Sequence, residues 1–296
     1  MGCLAVLACA RAACSTSHKD LLARTVAKGS RGTVSGTAGT LGAVVVFSFA
    51  ILLASGLLPL TVATIASAIA LAGLLWIMAA LLFTRLDEPD AETQSTGNRL
   101  SRIASPLARD PVLRQYLLTR AALISTALAP PFLVMLIGTE QDTKIGTLGL
   151  LILSSALASI LSSYLWGWLS DRSSRRTLAV AGMLATLSLG SAAMIGILTG
   201  GLGEIWMGPL MLFIAQIAYE GTRAGRKTHL TDMDTDGQRP LYTALSNSLI
   251  GVLLLAGGAF GVLADIAGPQ WTLVALAAMA AIGVLAALRL SEVQQD

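Results

Sequence analysis

Charged side chains are scarce in this chain of 296 residues: Asp, Glu, Lys and Arg make up 12% of it, about half the share found in a soluble domain. Histidine occurs only twice, and the three cysteines all lie within the first 14 residues. Because spaced Cys and His residues are missing, a zinc site is not expected. Because a Walker-type glycine-rich loop is missing, ATP is not expected to drive the protein. We therefore predict no metal, no cofactor and no nucleic-acid partner.

Apolar residues are abundant instead, at 54% of the chain with a mean hydropathy of +0.73. A helix needs about 20 mostly apolar residues to cross the bilayer core. The apolar runs are too long and too continuous for barrel strands, which alternate between lipid and lumen. The sequence therefore predicts an all-α integral membrane protein with about eight transmembrane helices. Their expected limits are 37–58, 62–84, 113–137, 145–169, 177–199, 203–222, 242–264 and 271–290.

Basic residues fall almost entirely in every second connection between these runs. Seventeen of the twenty Lys and Arg residues lie on one side of the predicted spans, in these connections, before the first run or at the ends of the runs next to them, whereas the alternate connections hold only Lys144. Since Lys and Arg concentrate on the cytoplasmic side of membrane proteins, both termini are predicted to be cytoplasmic. The chain would then be a multi-pass protein of the cytoplasmic (inner) membrane.

The polar residues divide the chain into four parts. Residues 1–84 would hold a helix stump and two transmembrane helices, and residues 85–112 form a polar cytoplasmic linker. Residues 113–290 would be a six-helix bundle, followed by a cytoplasmic tail at 291–296. The start, MGCLAVLACARAACST, is apolar but too short to span, so we expect a two-half transporter that has lost its beginning.

A faint internal repeat supports two related halves. When Arg31 is aligned with Arg239, several identical pairs coincide: Lys19 with Lys227, Leu22 with Leu230, Gly29 with Gly237, Leu41 with Leu249 and Val44 with Val252. Each copy is a basic loop that enters a helix rich in small residues. Weak repeats of this kind are typical of transporters.

The segment GWLSDRSSRR, residues 167–176, lies between the fourth and fifth predicted spans. It resembles the signature loop of the major facilitator superfamily, in which a Gly is followed after three residues by Asp and a basic residue, and then after two more residues by two basic residues. The matching residues are Gly167, Leu169, Asp171, Arg172, Arg175 and Arg176. The family has Gly where Ser174 stands, so we expect a less tight turn. The resemblance implies a complete C-terminal six-helix half and the last two helices of the N-terminal half.

The resemblance also implies a role for this loop as a gate on the cytoplasmic side. Gly167 would allow a neighbouring helix to approach closely. Asp171 would pair with basic groups and with the N-terminus of the penultimate helix, near Tyr242, because the helix dipole favours an anion there. Arg172, Arg175 and Arg176 could belong to the gate or could only fix the topology.

Polar residues inside the spans are candidates for the transport pathway. Arg120 could attract an anionic solute, pair with an acid, or reach the cytoplasmic surface. Gln216 lies near Glu220, and Glu220 and Arg223 are three residues apart, which predicts an ion pair on one helix face. Asn247 could line the pathway or bond to another helix.

The leading hypothesis is a secondary transporter, or permease, that moves a small solute by alternating access; its coupling ion is left open. A second hypothesis is a non-transporting remnant, or a module that needs a partner chain. A membrane enzyme is a weaker alternative. Its best candidate site is the segment THLTDMDTD, which places His229, Asp232, Asp234 and Asp236 close together. As a metal site this segment is weak, because such acids also solvate a loop, so we predict no enzymatic activity.

Overall fold

The structure is a computed structural model. It describes residues 21–54, 61–85, 110–138, 145–202, 206–233 and 239–294, with four isolated positions before residue 21. Within these residues the chain is almost entirely helical and contains no strand. A helical turn at residues 21–25 precedes the longer helices. These are α1 (Arg31–Ala54), α2 (Val62–Phe83), α3 (Pro111–Ala122), α4 (Ser125–Gly138), α5 (Ile145–Arg172), α6 (Ser174–Thr199), α7 (Met207–Asp232), α8 (Arg239–Ala256), α9 (Ala259–Ala267) and α10 (Pro269–Leu288).

The all-α membrane fold predicted from the sequence is confirmed, and a helix stands at each of the eight predicted spans. Six of them, counting α3 with α4 and α8 with α9 as single spans, are long and apolar enough to cross a bilayer. The other two, α5 and α7, have 28 and 26 residues, which is length enough to span. Most of the linker at 85–112 and most of the first 20 residues lie outside the described residues.

Two predicted spans are each divided by a short break. The third breaks at Leu123, and the seventh at Gly257 and Gly258. The amide of Ile124 donates a hydrogen bond to the carbonyl oxygen of Ala121, and the amide of Gly258 donates one to the carbonyl oxygen of Leu255. These three-residue bonds tighten the chain locally while keeping backbone groups paired, as a membrane requires.

The prediction that α7 ends near residue 222 is wrong, because the helix continues to Asp232. Its last turns carry Arg223, Arg226 and Lys227 on one side. On the other side Thr228 and Asp232 are buried. The hydropathy falls after residue 222 because the rest of α7 is basic. This part of the chain is still helical because one of its faces is buried.

The turn after α5 is tight, contrary to the expectation drawn from Ser174. A single residue, Ser173, separates α5 from α6. Its side chain accepts a hydrogen bond from the amide of Arg176 at 3.1 Å and so caps α6. Ser174 already belongs to the first turn of α6.

The bundle packs around α6, α7 and α10, and α5 joins it through α7. One apolar cluster lies where these helices meet α4, with Leu133, Leu189 and Leu273 fully buried. A second cluster lies where α3, α6 and the end of α7 meet, around Leu113 and Leu178. The helix α1 lies along α5, outside both clusters.

Candidate functional site

Asp171, in the last turn of α5, caps the N-terminus of α1. Its carboxylate accepts hydrogen bonds from the backbone amide of Gly32 at 2.5 Å, from that of Thr33 at 2.6 Å, and from the Thr33 hydroxyl at 2.6 Å. The first amides of a helix have no partner within it, and the helix dipole favours an anion at that end. We call this contact the Asp171 cap. It joins α1 to the bundle.

The expectation that Asp171 meets the penultimate helix near Tyr242 is wrong, since the carboxylate binds α1. Arg31 and Arg239, which the internal repeat aligns, are the first residues of α1 and α8. The carboxylate of Asp171 thus caps the helix N-terminus at the first aligned position instead of the one at the second.

The helices α1 and α5 approach each other closely because glycines meet at their crossing. A Cβ atom added to Gly167 would lie 2.3 Å from the carbonyl oxygen of Gly32, and one added to Gly36 would lie 2.6 Å from the carbonyl oxygen of Ser163. Real Cβ atoms do not come so near to backbone, so neither position accepts a larger residue without movement of a helix. The close approach expected at Gly167 is present, and its partners are Gly32 and Gly36.

A buried ion pair lies beside the Asp171 cap. Arg31 donates to Asp232 at 2.6 Å, and both side chains are largely buried. Arg31 also donates to the carbonyl oxygens of Val26 and Ala23. Since Arg31 begins α1 and Asp232 ends α7, the pair is a second link between α1 and the bundle.

The C-terminal tail completes this network. Gln294 donates to the second oxygen of Asp232 at 3.1 Å and accepts from the amide of Ser174 at 3.0 Å. Ser174 also contacts Nδ1 of His229 at 2.8 Å, and the His229 ring stacks on Tyr116. The tail thus connects the signature turn to the ion pair.

The three arginines of the signature loop differ in their contacts. Arg175 lies 3.7 Å from Glu292, and that carboxylate also accepts from Ser173 at 2.5 Å. Arg172 stacks over the ring of Trp168 at 3.7 Å, whereas Arg176 makes no side-chain hydrogen bond or ion pair within the described residues. Both Arg172 and Arg176 are exposed. Within the described residues neither side chain makes a hydrogen bond or an ion pair, so neither takes part in the network around Asp171.

Arg120 and Asn247 meet across two helices. One terminal nitrogen of Arg120 donates to the Ser246 hydroxyl and the other donates to Oδ1 of Asn247 at 3.0 Å. Nε of Arg120 is buried and has no partner among the described residues. The arginine is therefore held by neutral groups, and none of its contacts is an acid.

Gln216, Glu220 and Arg223 form one polar group on α7. Arg223 pairs with Glu220 at 2.9 Å, as the spacing predicted. Gln216 donates to Glu220 at 3.4 Å and to the hydroxyl of Ser159 on α5 at 3.3 Å. Glu220 is buried, and its charge is balanced by Arg223.

A cavity of about 400 Å³ lies behind the Asp171 cap. Gly32 and Gly36 of α1 form one side, and Arg120 with Asn247 the other. The face of α7 that carries Glu220, Arg223, Arg226 and Lys227 forms the remaining wall. The structure therefore brings three of the four predicted intramembrane residues, Arg120, Glu220 and Asn247, to one cavity. Gln216 lies instead beside a neighbouring groove between α1 and α5.

Sequence reasoning missed Arg31, Gln294 and Arg226 as site residues, and it named Asp232 only as part of the candidate enzyme site. Arg31 was visible as the residue that aligns with Arg239, but nothing in the sequence pointed to Asp232 as its partner. The candidate enzyme site at residues 228–236 begins in the last turn of α7. It gains no support as a metal site from the described residues, among which no group of three His, Cys, Asp or Glu could hold a metal ion. Asp234 and Asp236 lie outside them.

The family model described as Major Facilitator Superfamily matches residues 116–295, which is more than half of the chain and includes the signature loop. No curated protein matches the chain significantly.

Proposed function

We propose that this chain, which belongs to the major facilitator superfamily of membrane transporters, moves a small solute across the cytoplasmic membrane by alternating access. In this mechanism α1 and the bundle move against each other, and the cavity opens first to one side and then to the other. ATP has no part in it, because the sequence holds no Walker-type loop.

The observation that supports this proposal best is the Asp171 cap in front of the cavity. Three hydrogen bonds, all to one carboxylate, join α1 to the signature loop. All three hydrogen bonds break together when α1 separates from the signature loop, because their donors belong to the same helix N-terminus. It would close one end of the pathway while the other end is open.

The closed end is assigned to the cytoplasm, with both chain termini on that side. The support is the concentration of Lys and Arg at this end of the helices. An impermeant thiol reagent applied from the cytoplasmic side should then label Arg176→Cys and Arg289→Cys, which are exposed positions. It should label Asp265→Cys, at the other end of the bundle, only from the opposite side.

A disulfide between α1 and α5 provides the test of transport itself. A Cβ atom on Gly39 would lie 3.4 Å from Cβ of Ser163, close to the separation of about 3.5–4.5 Å found in disulfides. The variant Gly39→Cys with Ser163→Cys, with Cys3, Cys9 and Cys14 changed to Ser, should cross-link on oxidation. In proteoliposomes, a panel of labelled solutes would first identify one that the parent protein exchanges.

Oxidation of the double variant should abolish that exchange, and a reductant should restore it. Each single variant serves as a control that oxidation should not affect. Exchange that continues in the fully cross-linked protein would contradict alternating access between α1 and the bundle.

The second candidate is a module that needs a partner chain. One observation favours it: no residue in the most apolar stretch of α2 is buried by the described chain. Phe83, at the end of α2, meets the ring of His18. If none of the panel is exchanged by the purified chain, but exchange appears when a second membrane chain copurifies from the native membrane, this candidate would replace the first.

A further inference from the structure

The cavity behind the Asp171 cap carries more positive charge than its own acids balance. Arg120, Arg223, Arg226 and Lys227 line it together with one described acid, Glu220. Glu220 is already paired with Arg223 at 2.9 Å. The remaining three basic side chains therefore have no acid from the described lining.

None of these three side chains contacts a carboxylate among the described residues. Arg120 is bound by Ser246 and Asn247, and its Nε is buried without a partner in the described chain. Lys227 lies 3.2 Å from a ring nitrogen of His18. Arg226 makes no side-chain hydrogen bond or ion pair within the part of the chain that the structure describes. Its guanidinium thus retains a full set of donors.

Uncompensated charge in a partly enclosed site is unfavourable, since like charges repel and burial removes water. Such an arrangement becomes favourable when an anion enters. Arginine suits this role because its planar fork can bind both oxygens of a carboxylate or phosphate at once. A volume of about 400 Å³ lies at the lower end of the range for small-molecule sites, about 300–1,000 Å³.

We propose that this cavity binds a small anionic solute, whose carboxylate or phosphate group is held by Arg226, with Arg120 and Lys227 supplying further positive charge. This inference rests on the proposed function, because it names the substrate class of the same pathway. Gly32 and Gly36 of α1 form the opposite wall, so the rest of the solute would lie towards α1.

The binding test uses the whole protein, purified in neutral detergent, with two probes: inorganic phosphate and succinate. Each is titrated at constant ionic strength against chloride, and the melting temperature and calorimetric heat are recorded. Saturable binding of at least one probe is expected. Choline and glucose, which are cationic and neutral, should not bind.

Arg226→Gln should weaken the binding of that probe at least tenfold, because a charge-assisted bidentate contact is lost. The affinity of Arg226→Lys should lie between those of the parent protein and Arg226→Gln, since lysine keeps the charge but cannot make the bidentate contact. Arg176→Gln is the matched control, because Arg176 is an exposed arginine outside the cavity, and it should bind like the parent protein.

The stability of the ligand-free protein distinguishes a binding arginine from a structural one. Removing an uncompensated charge should leave the melting temperature of ligand-free Arg226→Gln equal to or above that of the parent protein. A clear fall would mean that Arg226 supports the fold, and would overturn the assignment. Equal affinity of the parent protein and Arg226→Gln for the probes would overturn it as well.

A lipid headgroup could supply the same phosphate chemistry, so a further arm compares phosphatidylglycerol with phosphatidylcholine. Stabilisation by the anionic lipid alone, lost in Arg226→Gln, would assign the site to a headgroup. No response to phosphate, succinate or anionic lipid would refute an anion site.

Uptake into proteoliposomes separates this inference from the proposed function. If the bound anion is not transported, the site stands and the transporter proposal fails. If a neutral or cationic solute is transported with no effect of Arg226→Gln, transport stands and the anion site is refuted.

Discussion

The Asp171 cap makes a quantitative prediction about the variant Asp171→Asn. The carboxylate accepts three hydrogen bonds from α1 at 2.5–2.6 Å. Asparagine has one carbonyl oxygen, so it can keep part of this set, but it loses the charge and at least one charge-assisted bond. Such a bond contributes about 1.5–3 kcal/mol net.

That loss corresponds to a shift of about 13- to 160-fold in an equilibrium between the capped state and a separated one, since about 1.36 kcal/mol is a factor of ten. The reporter is Ser163→Cys in a background with Cys3, Cys9 and Cys14 changed to Ser. Ser163 is 5% exposed, and its hydroxyl has no partner among the described residues. It lies against Gly36 of α1, so a thiol there becomes accessible when α1 moves away.

The assay is the rate of thiol labelling in membranes, which is proportional to the separated fraction when reclosure is fast. Asp171→Asn should raise the rate by at least about tenfold, as the estimate for one bond requires. Asp265→Asn is the control, because Asp265 is an exposed acid at the other end of the bundle. An unchanged rate in Asp171→Asn would refute the view that this carboxylate holds α1 in place.

Three further predictions concern the same interface. Gly36→Ala should destabilise the folded protein by about 1–3 kcal/mol, because the new methyl group would overlap a backbone oxygen. The control is Gly42→Ala on the same helix, which meets nothing within 4 Å and should be neutral or slightly stabilising. Thermal unfolding of the two variants measures the difference. Arg31→Gln should lower the free energy of unfolding by about 3–5 kcal/mol, because it leaves a buried carboxylate unpaired. A double-mutant cycle with Asp232→Asn should show a coupling energy of about 0.5–3 kcal/mol. Additive effects would contradict the ion pair between Arg31 and Asp232. Gln294→Ala should raise the thiol-labelling rate less than Asp171→Asn does, and no change would exclude the tail from the network.

The arrangement of Asp171 shows what the sequence could and could not predict. The spacing of the signature loop was enough to single out Gly167 and Asp171, and the resemblance to the family implied a helix N-terminus as the partner. It could not say which N-terminus, because two equivalent helices begin with similar basic loops. The alignment of Arg31 with Arg239 identifies both helix N-termini as candidates. To choose α1 would have required a rule that the loop of one half caps a helix of the other half.

The end of α7 shows a different limit. Hydropathy detects residues that face lipid, so the predicted span ended at residue 222 where basic residues begin. The helix runs on for ten residues because Thr228, Leu230 and Asp232 are buried against protein. The pairing of Glu220 with Arg223 was predictable, since it depends only on helical spacing. The partners of Asp232 were not, because they come from α1 and the tail, far away in sequence.

The central claim is that α1 separates from the bundle at the end where Asp171 caps it. Spin labels on Val34→Cys of α1 and Arg176→Cys of α6, both exposed positions, would measure their distance in a lipid bilayer. The account predicts two distance populations, with the longer one enlarged by Asp171→Asn. A single distance that this substitution leaves unchanged would contradict it.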